Sequence, residues 1–501
     1  MTRLIALCAL LAATADIRAD APVFQAGFAE RDITPEIGME QPGGYGKSYH
    51  RSLHDPCKVR AAVFDDGTTK AALVGLDALF IHRQTTLHVR QAIAAKTGMP
   101  EANILLGASH SHSSGPMAGV MPGEYDHAPA FVRRLATDSS TVADPKYLER
   151  VEAMIVEAAC AAHDARQPVL AGVGRGKEDQ VAFNRRFRMR DGMSITHPGQ
   201  GNDAILEAAG PTDPEVGVIG VWNSGRKKLL GCVVNFACHA TTSPGGISAN
   251  YVYFLEKVIR GYYGPDTIVI FLNGTSGDVT QVDNRSPLKN RDPESWAAFV
   301  GGRVGAEALK VLLTMDPGTL PPVVVKSKIL QIKRRAPDPE RVKTCLQIAQ
   351  RDPKKSDPTE WAFAKEIVLL DAKLKKEPVV EVEVQTVQVG PAVFITDPAE
   401  FFCAFGLELK ARSGFPFTFP VSLANGCVGY VPTAEAFGPH GGGYETRLTS
   451  YSNLEVTAGT QMVAAGLELA KSLKPGAVPT RGQPPPFTQP WSYGNVRPET
   501  K

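Results

Sequence analysis

The chain has 501 residues, of which 43% are hydrophobic and 21% are charged, a balance typical of a soluble globular protein. The 54 Lys and Arg residues almost balance the 52 Asp and Glu residues, which leaves a formal net charge of +2. Net charge therefore gives no reason to expect binding to nucleic acid or to an anionic membrane.

The first residues are typical of an export signal. A basic residue precedes an apolar stretch from Leu4 to about Leu11, and small residues follow it. Cleavage after Ala15 or Ala19 fits this pattern, and the apolar stretch is too short to span a bilayer. We predict a signal peptide over residues 1–19 and a secreted or periplasmic protein without a membrane anchor.

The cysteines do not form a recognisable zinc motif. Eight cysteines, less Cys8 of the predicted signal peptide, leave seven, an odd number without CxxC spacing. We expect buried thiols, with at most one or two disulfides.

Three segments of the sequence repeat one layout, in which an apolar strand, a polar loop and a helical stretch lead to a second apolar strand and polar loop. This alternation predicts an α/β fold with layered mixed sheets and helices. The first segment has a hairpin around Asp66-Gly67, a helix near residues 85–97 and the strand NILLGA. The second has the strand LLGCVVNFAC, the helix YVYFLEKVIRGYY and the strand TIVIFLNG.

The third segment starts with the strands VEVQTVQV and AVFIT and continues into DPAEFFCAFGLELKARSG. Asp397 could cap a helix here, with Pro398 in its first turn and Gly414 at its end. Glu400 would then lie in the first turn of that helix. The strand FPVSLANG follows, and Tyr430 comes just after another apolar run.

Polar residues occur where these strands end. His110 and His112 follow NILLGA, and His239 follows LLGCVVNFAC. Because ligands bind at the carboxyl ends of strands in open α/β sheets, we expect His110, His239 and Tyr430 to converge. Together with Glu400 they suit a catalytic Zn²⁺ with a position open for water, so we predict a metal site in the strand-end loops. Each residue taken alone also has a purely structural explanation. His239 could be a core histidine that is hydrogen-bonded to a backbone carbonyl, and Glu400 could be a carboxylate that stabilises a helix N-terminus.

Two stretches interrupt the repeated layout. Residues 120–148 have the pattern of an insertion or lid. Lys333 to Pro378 are predicted to form a second insertion, which is charged and helical. Neither carries obvious chemistry. Residues 476–501 are proline-rich and predict an extended or disordered tail, so we place the main domain at residues 20–475.

Several motifs occur in an order that resembles the neutral ceramidase family. They are FAERDITPE, GASHSHSSGP, NFACHATTS, NGTSGDVT, DPAEFFCAFGLELK, LANGCVGYVPT and GGYET. The resemblance extends from about Gly27 to Leu473 and implies a ceramidase-like zinc hydrolase domain. Full-length ceramidases also have a C-terminal β-sandwich domain, and we expect only the proline-rich tail in its place.

The resemblance implies a role for individual residues. Four residues match the zinc ligands of the family, with one Zn²⁺ per chain: His110, His239, Glu400 and Tyr430. Four more match its catalytic and substrate-contacting positions: His112, Arg185, Thr280 and Tyr444. His112 would be a proton donor or oxyanion stabiliser beside the metal. Thr280 stands where the family usually has serine, and Ala399 stands where it has glycine.

These features predict a zinc-dependent amidohydrolase that cleaves the N-acyl amide of ceramide, or of a related N-acyl lipid, to a fatty acid and an amino alcohol. Zinc would supply hydroxide, Arg185 and Tyr444 would stabilise the oxyanion, and His112 would protonate the departing amine. The expected partner is a lipid-like small molecule, with transient contact to lipid surfaces and no nucleic acid.

Two alternatives stay open. One is a zinc hydrolase of the same scaffold that acts on another amide or ester, such as an N-acetyl sugar or a lactone. The other is a secreted binding module with a purely structural metal. The shape and lining of the pocket beside the metal would discriminate between a lipid and a sugar substrate.

Overall fold

The computed structural model describes residues 23–288, 291–480 and 496–501. The predicted signal peptide, residues 1–19, lies outside these ranges, so export stays a prediction. In the part of the chain that the structure describes, no helix combines the length and apolarity needed to cross a membrane. Residues 476–480 and 496–501 of the predicted tail contain neither helix nor strand.

The secondary structure alternates strands and helices, as the sequence predicts. The strands are β1 (Gln25–Asp32), β2 (Lys58–Asp65), β3 (Lys70–Leu76), β4 (Ile104–Ala108), β5 (Gln167–Lys177), β6 (Phe183–Asn184), β7 (Arg186–Met189), β8 (Ser194–Thr196), β9 (Ile205–Ala208), β10 (Glu215–Asn223), β11 (Leu229–Phe236), β12 (Ile268–Asn273), β13 (Val279–Thr280), β14 (Val323–Lys333), β15 (Val379–Val389), β16 (Ala392–Thr396), β17 (Glu400–Phe401), β18 (Phe417–Val421) and β19 (Tyr430–Val431). The helices are α1 (Arg83–Thr97), α2 (Ala130–Asp138), α3 (Pro145–Asp164), α4 (Tyr251–Tyr263), α5 (Pro293–Thr314), α6 (Pro339–Ala349), α7 (Pro358–Lys376), α8 (Cys403–Arg412) and α9 (Ala458–Lys471).

Two mixed sheets form the centre of the fold. The larger has the strand order β12-β11-β10-β5-β1-β2-β3-β4, and the smaller has the order β14-β15-β16-β18. Parallel pairing occurs between β3 and β4, between β11 and β12, and between β16 and β18. A helix connects the strands of each parallel pair, namely α1, α4 and α8. The threefold repeated layout is therefore confirmed.

The two sheets and their helices make four layers. Ala61 and Val63 of β2 belong to one core with Ile93 of α1, whereas Phe64 faces the other way and packs in a core with Phe394 of β16. Helices α4 and α5 cover β10–β12, and α8 and α9 cover the outer face of the smaller sheet. Burial of one such Val, Ile or Phe side chain stabilises the fold by about 1.5–3 kcal/mol.

The prediction that Asp397 caps a helix containing Glu400 is wrong. Glu400 and Phe401 pair in parallel with Tyr430 and Val431, and the helix starts only at Cys403. The Asp397 carboxylate instead accepts hydrogen bonds from Ser422 Oγ at 3.0 Å and from the backbone N–H of Ala399 at 3.3 Å. Tertiary strand pairing thus overrides the local capping signal and places Glu400 beside Tyr430.

The two interrupting stretches are helical and pack on each other. The first contributes α2, and the second contributes α6 and α7. Leu135 of α2 shares a hydrophobic core with Ile348 of α6 and Ile367 of α7. The cysteines from Cys57 onward are all free thiols, five of them buried, so the structure contains none of the one or two disulfides that the sequence allowed.

Candidate active site

The candidate site lies where the three parallel strand pairs end. His110 follows β4, His239 follows β11, and Glu400 follows β16. Asn425 joins two of these ends, because its Oδ1 accepts a hydrogen bond from the backbone N–H of Leu106 at 3.0 Å. His110 has a left-handed φ of 64°, an uncommon conformation for a residue other than glycine and one that is enriched at functional sites.

Hydrogen bonds define which imidazole nitrogens are acceptors. The Nδ1 of His110 lies 3.0 Å from the carbonyl oxygen of Leu79, and the Nδ1 of His239 lies 2.7 Å from that of Ser276. A carbonyl can only accept, so both Nδ1 atoms carry the proton and both Nε2 atoms present a lone pair. These Nε2 atoms lie 3.3 Å (His110) and 3.0 Å (His239) from Oε2 of Glu400.

The Glu400 carboxylate completes a set of acceptors that needs a cation. Its Oε1 accepts a hydrogen bond from Tyr451 OH at 2.8 Å, whereas its buried Oε2 has no hydrogen-bond partner among the described residues. Three lone pairs that face each other in a buried site repel unless a positive charge offsets them. Nη1 of Arg185 contacts the lone pair of His239 at 3.0 Å, and Oε2 of Glu400 is left for a further cation. Two imidazoles and a carboxylate are ligands that Zn²⁺ prefers, so the residues present fit zinc.

His112 lies beside this set. Its Nε2 is 3.2 Å from Nε2 of His110, and the potential ligand atoms of the three histidines all lie within 4.8 Å of one another. Gly43 packs against the ring so closely that a Cβ there would come within 2.3 Å of Nδ1. Because Nε2 of His110 is an acceptor, Nε2 of His112 must donate in this contact. Burial lowers the pKa of His112 well below its ordinary value, so this imidazole is neutral.

Arg185, Tyr430 and Tyr444 form the adjacent wall. The Nη1 of Arg185 lies 3.0 Å from Nε2 of His239, and its Nη2 donates to Tyr430 OH at 3.1 Å. The hydroxyl groups of Tyr430 and Tyr444 are 3.0 Å apart. Burial raises the pKa of Tyr430 well above its ordinary value, so the phenol is protonated in the absence of a nearby metal.

Thr280 lies in the cavity wall, but its hydroxyl is already engaged. Its Oγ1 donates to Oε1 of Gln281 at 3.1 Å, and Thr241 Oγ1 donates to the same oxygen at 3.0 Å. The side chain of Thr280 is buried. Its position therefore fits a contact that shapes the cavity better than a proton-transfer role.

Two residues of the site were missed by the sequence analysis. Tyr451 bonds Glu400, and Glu445 accepts a hydrogen bond from Nε of Arg185 at 2.9 Å. Glu445 is the glutamate of the GGYET motif itself, and Tyr451 follows that motif by a few residues; this proximity to Tyr444 is the signal that the sequence offered.

A cavity of about 1030 Å³ opens beside the acceptor set. The three histidines, Glu400, Arg185, Tyr430, Tyr444 and Thr280 all line it. Both interrupting stretches contribute to its wall, with Met121 and Tyr125 from the first and Leu369 and Lys373 from the second. These stretches, for which the sequence suggested no chemistry, therefore form part of the cavity wall.

Comparison with solved structures finds this fold in two ceramidases. Neutral ceramidase from Pseudomonas aeruginosa has a TM-score of 0.65 and 18% sequence identity, over 92% of this chain and 77% of that one. A ceramidase complexed with C2 has a TM-score of 0.66 and 18% identity, over 93% and 78% of the two chains. No protein-family model and no curated protein matches the sequence. The chain therefore has the fold of neutral ceramidase.

Proposed function

We propose that the protein is a zinc-dependent amidohydrolase that cleaves the N-acyl amide of ceramide or of a related N-acyl lipid, releasing a fatty acid and an amino alcohol. One observation carries this proposal: the donor-free Oε2 of Glu400 faces two imidazole acceptors beside a cavity of about 1030 Å³. The ceramidase fold supports the choice of an N-acyl lipid, since both similar structures are ceramidases.

His110, His239 and Glu400 would hold the zinc ion, with Tyr430 as the fourth ligand. When bound, zinc supplies the nucleophile by lowering the pKa of a water molecule from 15.7 to about 7. The protein residues then act on the substrate. Arg185 and Tyr444 donate hydrogen bonds to the amide oxygen as it gains negative charge.

His112, neutral in the resting site, would take up the proton that the attacking water loses and then give it to the departing amine. Its Nε2–H points at the imidazole cluster, and the residue has one contact at its ring and one at its backbone. Gly43 packs against Nδ1, and Gln41 Nε2 donates to the backbone carbonyl of His112 at 2.9 Å. A fixed imidazole next to the reacting centre is the usual form of a general acid.

A second candidate is a hydrolase of the same scaffold with a more polar N-acyl substrate, such as an N-acetyl sugar. The observation that favours it is the charge on the outer cavity wall, where Lys376, Glu377 and Glu381 occur. A binding module with a structural metal does not require donors such as Arg185, His112 and Tyr444 beside the metal, so we rank it last. Secretion, predicted from residues 1–19, belongs to this proposal as well.

Metal analysis together with an amidase assay tests the proposal. We expect about one zinc per chain in the wild-type protein and hydrolysis of a short-chain fluorescent ceramide. His110→Ala and His239→Ala should lose both, whereas His88→Ala, an exposed histidine of α1, should retain both. Full zinc occupancy in the first two variants would refute the ligand assignment, and a zinc-loaded protein without amidase activity would refute the function.

A further inference from the structure

Glu445 is a buried carboxylate tied to the candidate site. Its side chain is 0% exposed, and it lies in the turn Tyr444–Thr446. Its Oε1 accepts a hydrogen bond from Nε of Arg185 at 2.9 Å, and its Oε2 accepts one from Thr196 Oγ1 at 2.6 Å. An unpaired polar group is costly in the interior, and these hydrogen bonds compensate for the burial of the carboxylate.

The ion pair uses the inner nitrogen of the guanidinium. Both terminal nitrogens of Arg185 therefore face the site: Nη1 lies 3.0 Å from Nε2 of His239, and Nη2 donates to the carbonyl oxygen of Gly277 at 2.7 Å and to Tyr430 OH at 3.1 Å. An end-on bidentate pair with both terminal nitrogens would hide these donors. The contact with Glu445 thus fixes the direction of the guanidinium. Gly277 and Tyr430 take the two hydrogens of Nη2, so Nη1 is the terminal nitrogen with a hydrogen left for a substrate.

The same pair also affects the charge at the metal site. Nε2 of His239 is the atom that Arg185 contacts and the atom proposed to bind zinc. A divalent cation there would lie a few ångströms from a buried guanidinium, where like charges repel strongly. The Glu445 carboxylate, in direct contact with the guanidinium, offsets this repulsion.

We propose that Glu445 is a positioning and charge-balancing residue for Arg185, which directs Nη1 to the amide oxygen and permits tight zinc binding beside a buried cation. This inference rests on the proposed function, in which Arg185 binds the amide oxygen and His239 binds zinc. Glu445 itself does not touch the substrate.

Zinc titration of the metal-free, full-length protein tests the charge-balancing role without an activity assay. Glu445→Gln keeps the shape and an acceptor for Arg185 but removes the charge, and Thr196→Val, its matched control, removes only the second hydrogen bond of Glu445. We expect zinc affinity to fall about 10-fold or more in Glu445→Gln and to change less than about threefold in Thr196→Val. The double variant Arg185→Met/Glu445→Gln, which has neither charge, should recover most of the lost affinity.

Kinetics on the substrate that the wild type cleaves test the positioning role. Because the guanidinium acts on charge that develops in the transition state, Glu445→Gln should lower kcat about 10- to 100-fold with little change in KM. In an Arg185→Met background the same substitution should cause no further loss. Should Glu445→Gln fail to give a cooperative thermal transition, the charge-free double variant still reports on zinc affinity.

The outcomes separate this inference from the proposed function. Equal zinc affinity and equal kcat in Glu445→Gln and Thr196→Val would overturn the inference, as would a double variant that binds zinc no better than Glu445→Gln. A wild-type protein that binds no zinc would instead refute the proposed metal site, and the inference with it.

Discussion

The two oxygens of Glu400 have different surroundings, and this difference organises the site. Oε1 accepts a hydrogen bond from the hydroxyl group of Tyr451. The same hydroxyl oxygen lies 3.4 Å from Sγ of Cys427. Oε2 is left to face the imidazoles of His110 and His239. A hydrogen bond to one oxygen of a carboxylate fixes the direction in which the second oxygen points. Residues around metal ligands commonly orient them in this way. The site is therefore preorganised by its surroundings.

At the scale of single residues, His112→Ala should separate catalysis from metal binding. We expect the variant to retain its zinc and to lose turnover by about 10²–10⁴-fold, the range for removal of an acid-base group. The physical reason is the orientation of Nε2–H, which donates towards His110 and leaves the ring without a lone pair at that atom. Metal content and kcat should be measured on the same preparation. Joint loss of zinc and activity would make His112 a ligand.

At the scale of elements, α7 stabilises the loop that covers the candidate site. Lys365 of α7 is buried, and its Nζ donates to the carbonyl oxygens of Tyr45 and Ser139 and to Ser140 Oγ. The loop that contains Tyr45 also contains Gly43, which packs on His112. One buried ammonium group thus joins the second interrupting stretch to the ring proposed as general acid.

Lys365→Met tests this connection. The substitution removes the donor to three oxygens and leaves Glu366, 3.1 Å from Nζ, without its cation. We expect the free energy of unfolding to fall by about 3–5 kcal/mol, the range for a broken buried ion pair. Lys375→Met on the same helix, an exposed residue paired with Asp371, should cost about 0.5 kcal/mol or less. Equal denaturation midpoints for the two variants would exclude the role given to Lys365.

Elements with strong local signals could be predicted from the sequence, whereas contacts between distant segments could not. The predicted helix YVYFLEKVIRGYY coincides with α4, and the hairpin around Asp66-Gly67 is present because Asp66 and a left-handed glycine satisfy the turn locally. The cap at Asp397 failed because residues near 430 pair with Glu400. Glu445 was missed because its partner Arg185 lies 260 residues away. Local sequence pattern contains no information about such a pair.

At the scale of the whole molecule, the four layers bring the strand ends of three segments to one cavity. The two interrupting stretches add residues to the wall of that cavity. Leu79, Phe80 and Val120 give it apolar surface, while Lys376 and Glu381 give its outer part charge. A volume of about 1030 Å³ exceeds what an acetyl group needs and lies at the upper end of the range for small-molecule sites. The size of the cavity is compatible with the long acyl chain of the proposed substrate, and its charge with a polar group elsewhere on that substrate.

Substrate selection by this cavity can be measured directly. At neutral to mildly alkaline pH, we expect cleavage of a short-chain fluorescent ceramide and of a long-chain ceramide in detergent, with N-acetylated amino sugars cleaved more slowly. The reason is that a zinc site activates water for any amide, so the cavity alone selects the acyl group. Thr280→Ser is the matched variant, because it keeps the hydroxyl that donates to Gln281 and removes one methyl group from the wall. If only the sugars are cleaved, and ceramide is not hydrolysed even by Thr280→Ser, the assignment as a zinc hydrolase would stand but ceramide would be excluded as its substrate.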